Sequence, residues 1–264
     1  IIDYNLRCLR CFFVVLLRRF LKKICCIMLF EKIVFGPIKS RRLGISLGVN
    51  LLPKGNKICT FNCIYCECGF NSVNVKEANY PSIDEVKQAL ESRLAEMNKN
   101  NESLDSITFA GDGEPTLHPS FSEIIDETIS LRNQFFPTAK ISVLSNATMI
   151  GDEKIFETLQ KVDNNILKLD SAIDSTVRII NQPTNPSFSV AKTINKLSQF
   201  AGKLIIQSLF FSGTFEEKTF DNTTEEEVSA WLEVLLKIRP KAVQIYSLDR
   251  KTPAENLQKA SKET

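Results

Sequence analysis

Four cysteines fall within ten residues, Cys59-Thr60-Phe61-Asn62-Cys63-Ile64-Tyr65-Cys66-Glu67-Cys68. The first three have the spacing Cys-x3-Cys-x2-Cys, in a loop that follows an expected strand. Thiolates so close on a turning backbone can face a common point. Three of them bind three irons of a [4Fe–4S] cube and leave the fourth iron open. An open iron can ligate a substrate or cofactor, which a fully ligated electron-transfer cluster cannot do. A zinc site drawing on Cys59, Cys63, Cys66 and Cys68 is the rival reading. It needs two ligands at i and i+2, and the usual paired-knuckle spacing is absent. A disulfide cluster requires an oxidising compartment, for which the chain carries no convincing signal. Metal-free reactive thiols stay open at this level.

The motif also carries an aromatic residue, Tyr65, directly before the third cysteine. In that form it resembles the signature of the radical S-adenosylmethionine (SAM) enzymes. Phe35-Gly36-Pro37, Ser40-Arg41-Arg42-Leu43-Gly44, Ser46-Leu47-Gly48-Val49-Asn50 and Gly113-Glu114-Pro115-Thr116-Leu117-His118-Pro119 are similar to the Fe–S oxidoreductase branch of that superfamily. This branch is related to tRNA wybutosine-synthesis enzymes and nitrogenase-cofactor maturases. The resemblance runs from about residue 30 to 257 and leaves out residues 1–27. It implies a [4Fe–4S] cluster on Cys59, Cys63 and Cys66, with SAM bound through the open iron. It further implies reductive cleavage of SAM to methionine and a 5′-deoxyadenosyl radical, which abstracts hydrogen from a substrate. The electron would come from a reduced flavodoxin- or ferredoxin-type donor, and the oxygen sensitivity of such a cluster favours a cytoplasmic setting. Neither the substrate nor its class (small molecule, protein or RNA) is readable. A tRNA-modifying role lacks support from a second cysteine triplet in the body or an evident RNA-binding extension. A non-catalytic Fe–S or zinc-binding module is the alternative from another class, and it has no need of the polar loops described next.

The elements that must position these groups alternate between short apolar runs and longer amphipathic ones. Strands are expected at 45–52, 106–110, 140–144, 166–169, 204–209 and 242–246. Helices are expected at 83–97, 120–134, 152–162, 190–200 and 225–238, with helical turns at 175–180. The first helix places Val86, Ala89, Leu90, Leu94 and Met97 on one face. This is the βαβ rhythm of a parallel sheet, and the expected fold is α/β, a partial (βα)6 TIM-type barrel. Ligand sites in such folds gather at the C-terminal ends of the strands. There the second strand runs into Gly111-Asp112-Gly113-Glu114; by the resemblance these four hold the methionine amino group of SAM. Ser145 and Asn146 end the third strand, and Asp170 and Ser171 the fourth. An Asn suits the amino-acid carboxylate and an Asp a ribose hydroxyl, although either residue also serves as a helix cap. Gln207 interrupts an apolar strand and is expected to point into the barrel, where a buried amide must find partners. Tyr246, with Ser247 and Asp249 beyond it, is a candidate to flank adenine, and Tyr65 by motif position resembles the residue that packs on adenine.

Composition narrows the chemistry further. The chain of 264 residues is 43% hydrophobic and 24% charged, with a single histidine. A His-rich metal site and a Ser-His-Asp triad are therefore disfavoured. That histidine, His118, follows the glycine loop between Leu117 and Pro119, a position more often structural than catalytic. Residues 1–27 hold Arg7, Arg10, Arg18, Arg19, Lys22 and Lys23 against Asp3, a local charge of +5; the overall +2 thus conceals a remainder at −3. No broad nucleic-acid footprint is evident in that remainder, and Lys39, Arg41 and Arg42 read as a solvated basic patch or an approach for phosphates or an acidic electron donor. The apolar run 11–17 is far short of the ~20 residues that span a bilayer, and no membrane partner is expected. The first methionine is Met28. One reading makes residues 1–27 an over-extended leader and 28–264 the whole radical SAM domain. The other gives Cys8, Cys11, Cys25 and Cys26 a metal or a membrane-surface helix. The end, Ser261-Lys262-Glu263-Thr264, looks like a helix start with no helix behind it, as after a C-terminal truncation.

Overall fold

The computed structural model describes residues 29–72 and 79–261. The readings placed on residues 1–27, on Met28 and on the last three residues lie outside the described residues. Strand β1 (Val34–Ser40) turns into β2 (Gly44–Val49), and the cysteine loop follows. Next come α1 (Ile83–Lys99), β3 (Ser106–Phe109), a 3₁₀ turn (Pro115–Leu117), α2 (Phe121–Phe135) and β4 (Lys140–Ser145). After them stand α3 (Glu153–Lys161), β5 (Asn164–Lys168), α4 (Asp174–Ile180), α5 (Val190–Ser198) and β6 (Ile205–Leu209). The chain continues through β7 (Phe211–Phe215), β8 (Lys218–Asp221), α6 (Glu225–Ile238), β9 (Ala242–Tyr246) and β10 (Leu257–Lys259).

All six expected strands are present. They run parallel as β2, β3, β4, β5, β6 and β9, each paired with the next in that order. β1 closes the β2 edge antiparallel, and β1 and β9 remain the two ends of a seven-stranded sheet. The architecture is thus α/β, a partial TIM-type barrel. Local chemistry explains the helix starts. Ser82 and Glu85 form a reciprocal capping box ahead of α1. Asp152 caps α3 by accepting from Ile155 N at 3.2 Å, and Thr224 caps α6 by accepting from Glu227 N at 3.4 Å. The helix faces then bury what periodicity placed on them: Val86, Leu90, Leu94 and Met97 of α1 lie in the main core. Each such side chain contributes about 1.5–3 kcal/mol.

Strand side chains alternate between the two faces of the sheet. Outward positions such as Leu47, Ile107, Phe109, Ile141, Val143 and Ile206 pack in the helix-covered core. Part of the inner face is polar. Ser46 and Thr108 hydroxyls lie 2.7 Å apart, Ser106 and Ser142 2.8 Å apart, and Asn164 Nδ2 donates to Ser142 Oγ at 3.1 Å. This hydroxyl chain crosses four strands.

Four strands were absent from the expected pattern. β1 contains Pro37 and an irregular register between Phe35 and Ile38, features that confine proline to a sheet edge. β7 and β8 form a hairpin, joined by β10 into a small antiparallel sheet. The turn residues Glu216 and Glu217 have φ of 46° and 64°. Positive φ at both positions suits a type I′ turn, which Asn-Gly would have announced and Glu-Glu does not.

Candidate active site

The cysteine loop leaves β2 and is pinned on two sides. Ile58 bridges to Gly113: Ile58 N donates to Asp112 O at 2.9 Å, and Glu114 N donates to Ile58 O at 3.0 Å. Beyond Cys59, Asn62 N donates to Asn181 O at 2.9 Å and Ile64 N to Ile180 O at 3.0 Å, tying the loop to the end of α4. Asn71 closes it from within, its Nδ2 donating to Cys59 O at 3.0 Å and Phe61 O at 3.1 Å. Beneath the loop, the small sheet supplies Phe211 and Phe220, with Phe211 edge-on to Tyr65 at 5.3 Å.

A cavity of about 750 Å³ opens at the C-terminal ends of the strands. Its wall brings together Cys59, Cys63, Cys66, Tyr65, Gly111, Gly113, Glu114, Asn146, Gln207 and Tyr246. Cys68, Lys57 and Lys168 stand in the same wall, and Arg41, Arg42 and Asp249 line it as well. Gln207 points inward as expected, its Nε2 donating to Gln244 Oε1 at 3.1 Å.

Asp112 and Asp170 do not line this cavity. Asp112 is fully buried and accepts from Phe30 N at 3.0 Å and from Asn50 Nδ2 at 2.9 Å. Burial pushes its carboxyl up to about 6. Asp170 is enclosed on both oxygens: Oδ1 accepts from Leu209 N at 2.9 Å, while Oδ2 accepts from Asn181 Nδ2 at 2.7 Å and from the Tyr65 hydroxyl. Ser171 donates to Glu227 at 2.6 Å. His118 is also away from the cavity. Its Nε2 is 2.8 Å from Pro81 O and its Nδ1 accepts from Ser120 N at 3.0 Å, so both ring nitrogens serve the loop ahead of α2.

The sulfurs are distinguished by their partners. Cys59 accepts from Phe61 N at 3.5 Å and Asn146 Nδ2 at 3.4 Å, and Cys63 accepts from Asn181 Nδ2 at 3.4 Å. The neighbouring Cys68, together with the Lys57 charge, holds the Cys66 thiol below its ordinary range against the effect of burial. Cys68 donates to Gly111 O at 3.4 Å, and the neighbouring Cys66, with burial, raises its thiol. Burial, together with Glu114 nearby, pushes Cys59 up to about 12; burial also raises Cys63. All four thiols are free of disulfides. Among the described residues no three His, Cys, Asp or Glu side chains are gathered for a single metal ion. A lone zinc needs that gathering about one point. A cube spreads its three thiolates over three irons, and three cysteine sulfurs around one cavity suit that donor pattern.

Two cations and two amides of the site were not singled out from the sequence. Lys168 ends β5 with Nζ 2.9 Å from Tyr246 Oη and 3.6 Å from Asp170 Oδ1, over the rings of Tyr65 and Tyr246. Despite the desolvation that opposes it, Asp170 keeps this ammonium raised above its ordinary range. Lys57 is buried two residues before Cys59. Asn181 and Asn71 were hidden because loop amides carry no periodic signal. The spacing of Lys168 and Asp170 on one strand end was the available clue to the former. Glu114 is buried, its carboxyl raised by desolvation, and it accepts from Asn146 N at 2.7 Å and Thr116 N at 3.2 Å.

Residues 55–221 match the family described as the Radical SAM superfamily. A curated relative, the GTPase Obg of Brachyspira hyodysenteriae, is 33% identical over 226 residues, 85% of this chain but 31% of that protein. UPF0026 proteins of Methanocaldococcus jannaschii (29% identity, 79% of this chain, 61% of that protein) and of Synechocystis sp. (30%, 84% and 77%) are also similar. The chain therefore spans under a third of the first of these relatives and about three-fifths of the second. Among solved structures, Streptococcus suis SuiB bound to S-adenosylmethionine superposes with a TM-score of 0.55 at 15% identity, over 78% of this chain and 42% of that one. TYW1 with a lysine-pyruvate adduct bound gives 0.55 at 14% identity, over 80% and 67%. These two likenesses concern the fold.

Proposed function

The chain belongs to the radical SAM superfamily, and from that premise we propose that it is an enzyme holding a [4Fe–4S] cluster on Cys59, Cys63 and Cys66 and SAM in the adjoining cavity. When bound, the cluster supplies the electron that cleaves SAM reductively, and the cleavage supplies the means of abstracting hydrogen from a substrate. The observation that carries the reading is the gathering of Cys59, Cys63 and Cys66 in the wall of one cavity, with Cys59 and Cys63 accepting from N–H donors while the fourth, Cys68, donates to Gly111 O. Acceptor sulfurs suit thiolate ligands, whose charge such donors offset. SuiB, a neighbour in fold, is a protein solved bound to S-adenosylmethionine, which supports the choice of cofactor.

The residues divide the remaining work. In this reading the Gly111–Gly113 backbone and the Glu114 carboxylate would take the amino group of SAM, with Asn146 beside them for its carboxylate. Gln207, Tyr65 and Tyr246 offer amide and ring surfaces for the adenosine end. Asp112 and Asp170, fully bonded within the protein, act as supports that hold Asn50, Tyr65 and Asn181 in place. A flavodoxin- or ferredoxin-type donor would deliver the electron. No described helix is long and apolar enough to cross a membrane, and a reducing cytoplasm is the setting that such a cluster favours.

Iron and labile sulfide, measured after anaerobic reconstitution, test the ligand assignment. Cys59→Ala, Cys63→Ala and Cys66→Ala should each lose most of the iron, whereas Cys68→Ala should keep it. Loss of iron in Cys68→Ala, with retention in one of the other three, would overturn the assignment.

A further inference from the structure

Lys57 enters the cavity wall just ahead of the first of the three cysteines. It is 2% exposed, and lysine is almost never fully buried unless its charge is answered. Its Nζ donates to Gly69 O at 2.7 Å, clasping the two ends of the cysteine loop, and it shares the cavity wall with Cys59, Cys63 and Cys66. Among the described residues no carboxylate comes within ion-pair distance of it. Lys168 in the same wall, by contrast, has Asp170 at 3.6 Å. A carbonyl dipole alone compensates a buried ammonium poorly. The groups beside it in the wall that would carry negative charge as cluster ligands are the sulfurs of Cys59, Cys63 and Cys66.

We infer that Lys57 is the counter-charge of the cluster, a positioning residue that favours its reduced form. The inference rests on the proposed role of Cys59, Cys63 and Cys66 as cluster ligands. Three thiolates leave the liganded cluster with net negative charge, and one electron from an external low-potential donor makes it more negative; no bond forms or breaks in this step. A fixed positive charge in a low-dielectric wall stabilises the more negative state more strongly. Charge and hydrogen bonds at the sulfurs are the levers by which a protein sets such a potential. Lys57 therefore raises the midpoint potential and eases reduction.

The test compares the full chain with Lys57→Met and Lys57→Arg after anaerobic reconstitution. Two quantities are read: iron per chain, and the midpoint potential from a titration with dithionite followed by electron paramagnetic resonance. Lys57→Met, which keeps the apolar stem and loses the charge, should hold its iron yet show a more negative midpoint and a smaller reduced fraction at the same poise. Lys57→Arg should stay close to the unsubstituted chain. Loss of iron from Lys57→Met that Lys57→Arg restores also supports the role of charge. An unchanged or raised midpoint in a fully loaded Lys57→Met overturns the inference, as does equal loss of iron from both variants. An unsubstituted chain that takes up no iron would instead contradict the cluster reading itself.

Discussion

Asp170 shows how much a single buried carboxylate organises. It receives the Tyr65 hydroxyl, Asn181 Nδ2 and Leu209 N, faces Lys168 at 3.6 Å, and is wholly enclosed. Removing it takes an acceptor from three donors and the counter-charge from Lys168. Asp170→Ala should therefore lower the stability of the apo chain by about 3–5 kcal/mol in urea unfolding, with Asp170→Asn milder. An unchanged unfolding midpoint in Asp170→Ala would mean that the network carries no stability. The strand-end position of Asp170 was legible in the sequence, as were the three cysteines and the glycine loop, because spacing and loop composition announce them. Its partners were not: Tyr65 is 105 residues away in the chain and Asn181 follows a short helix. Whether a strand-end carboxylate faces a cavity or the wall behind it depends on such distant contacts, which no local pattern contains.

At the scale of elements, the decisive contact is the bridge between Ile58 and Gly113, which joins the cysteine loop to the glycine loop. Gly113 has φ of 143°, and a Cβ there would lie 1.7 Å from Ile58 O. Backbone strain alone at such a position costs about 1–3 kcal/mol, and the overlap with a carbonyl adds to it. Gly113→Ala should lower the melting temperature and the iron taken up on reconstitution together, as circular dichroism and iron analysis would show. Retention of both would mean that the two loops are not coupled through this bridge. The parallel strands and their helices were readable because apolar periodicity and end caps such as Ser82 and Asp152 agree with the tertiary structure. The β7–β8 hairpin, which carries Phe211 and Phe220 beneath Tyr65, was not, since its Glu216-Glu217 turn lacks the residues that usually mark one.

Taken as a whole, the molecule is a partial barrel whose outer face packs apolar side chains under helices and whose inner face is polar in part. A hydroxyl chain runs from Ser46 to Asn164, and the cavity with the cysteines opens at the strand ends. Composition could not reveal this division, because serine and threonine in a strand read equally well as solvent-facing. The central claim is the proposed one, that Cys59, Cys63 and Cys66 would hold a cluster whose reduction supplies the electron for cleaving SAM bound in this cavity. Its most direct test is the chain reconstituted anaerobically with iron and sulfide, supplied with SAM and dithionite, and assayed for 5′-deoxyadenosine. The account predicts 5′-deoxyadenosine formed together with methionine, in an amount that depends on both the iron content and the reductant. A chain that carries its full complement of iron, accepts the electron and still leaves SAM intact would contradict it.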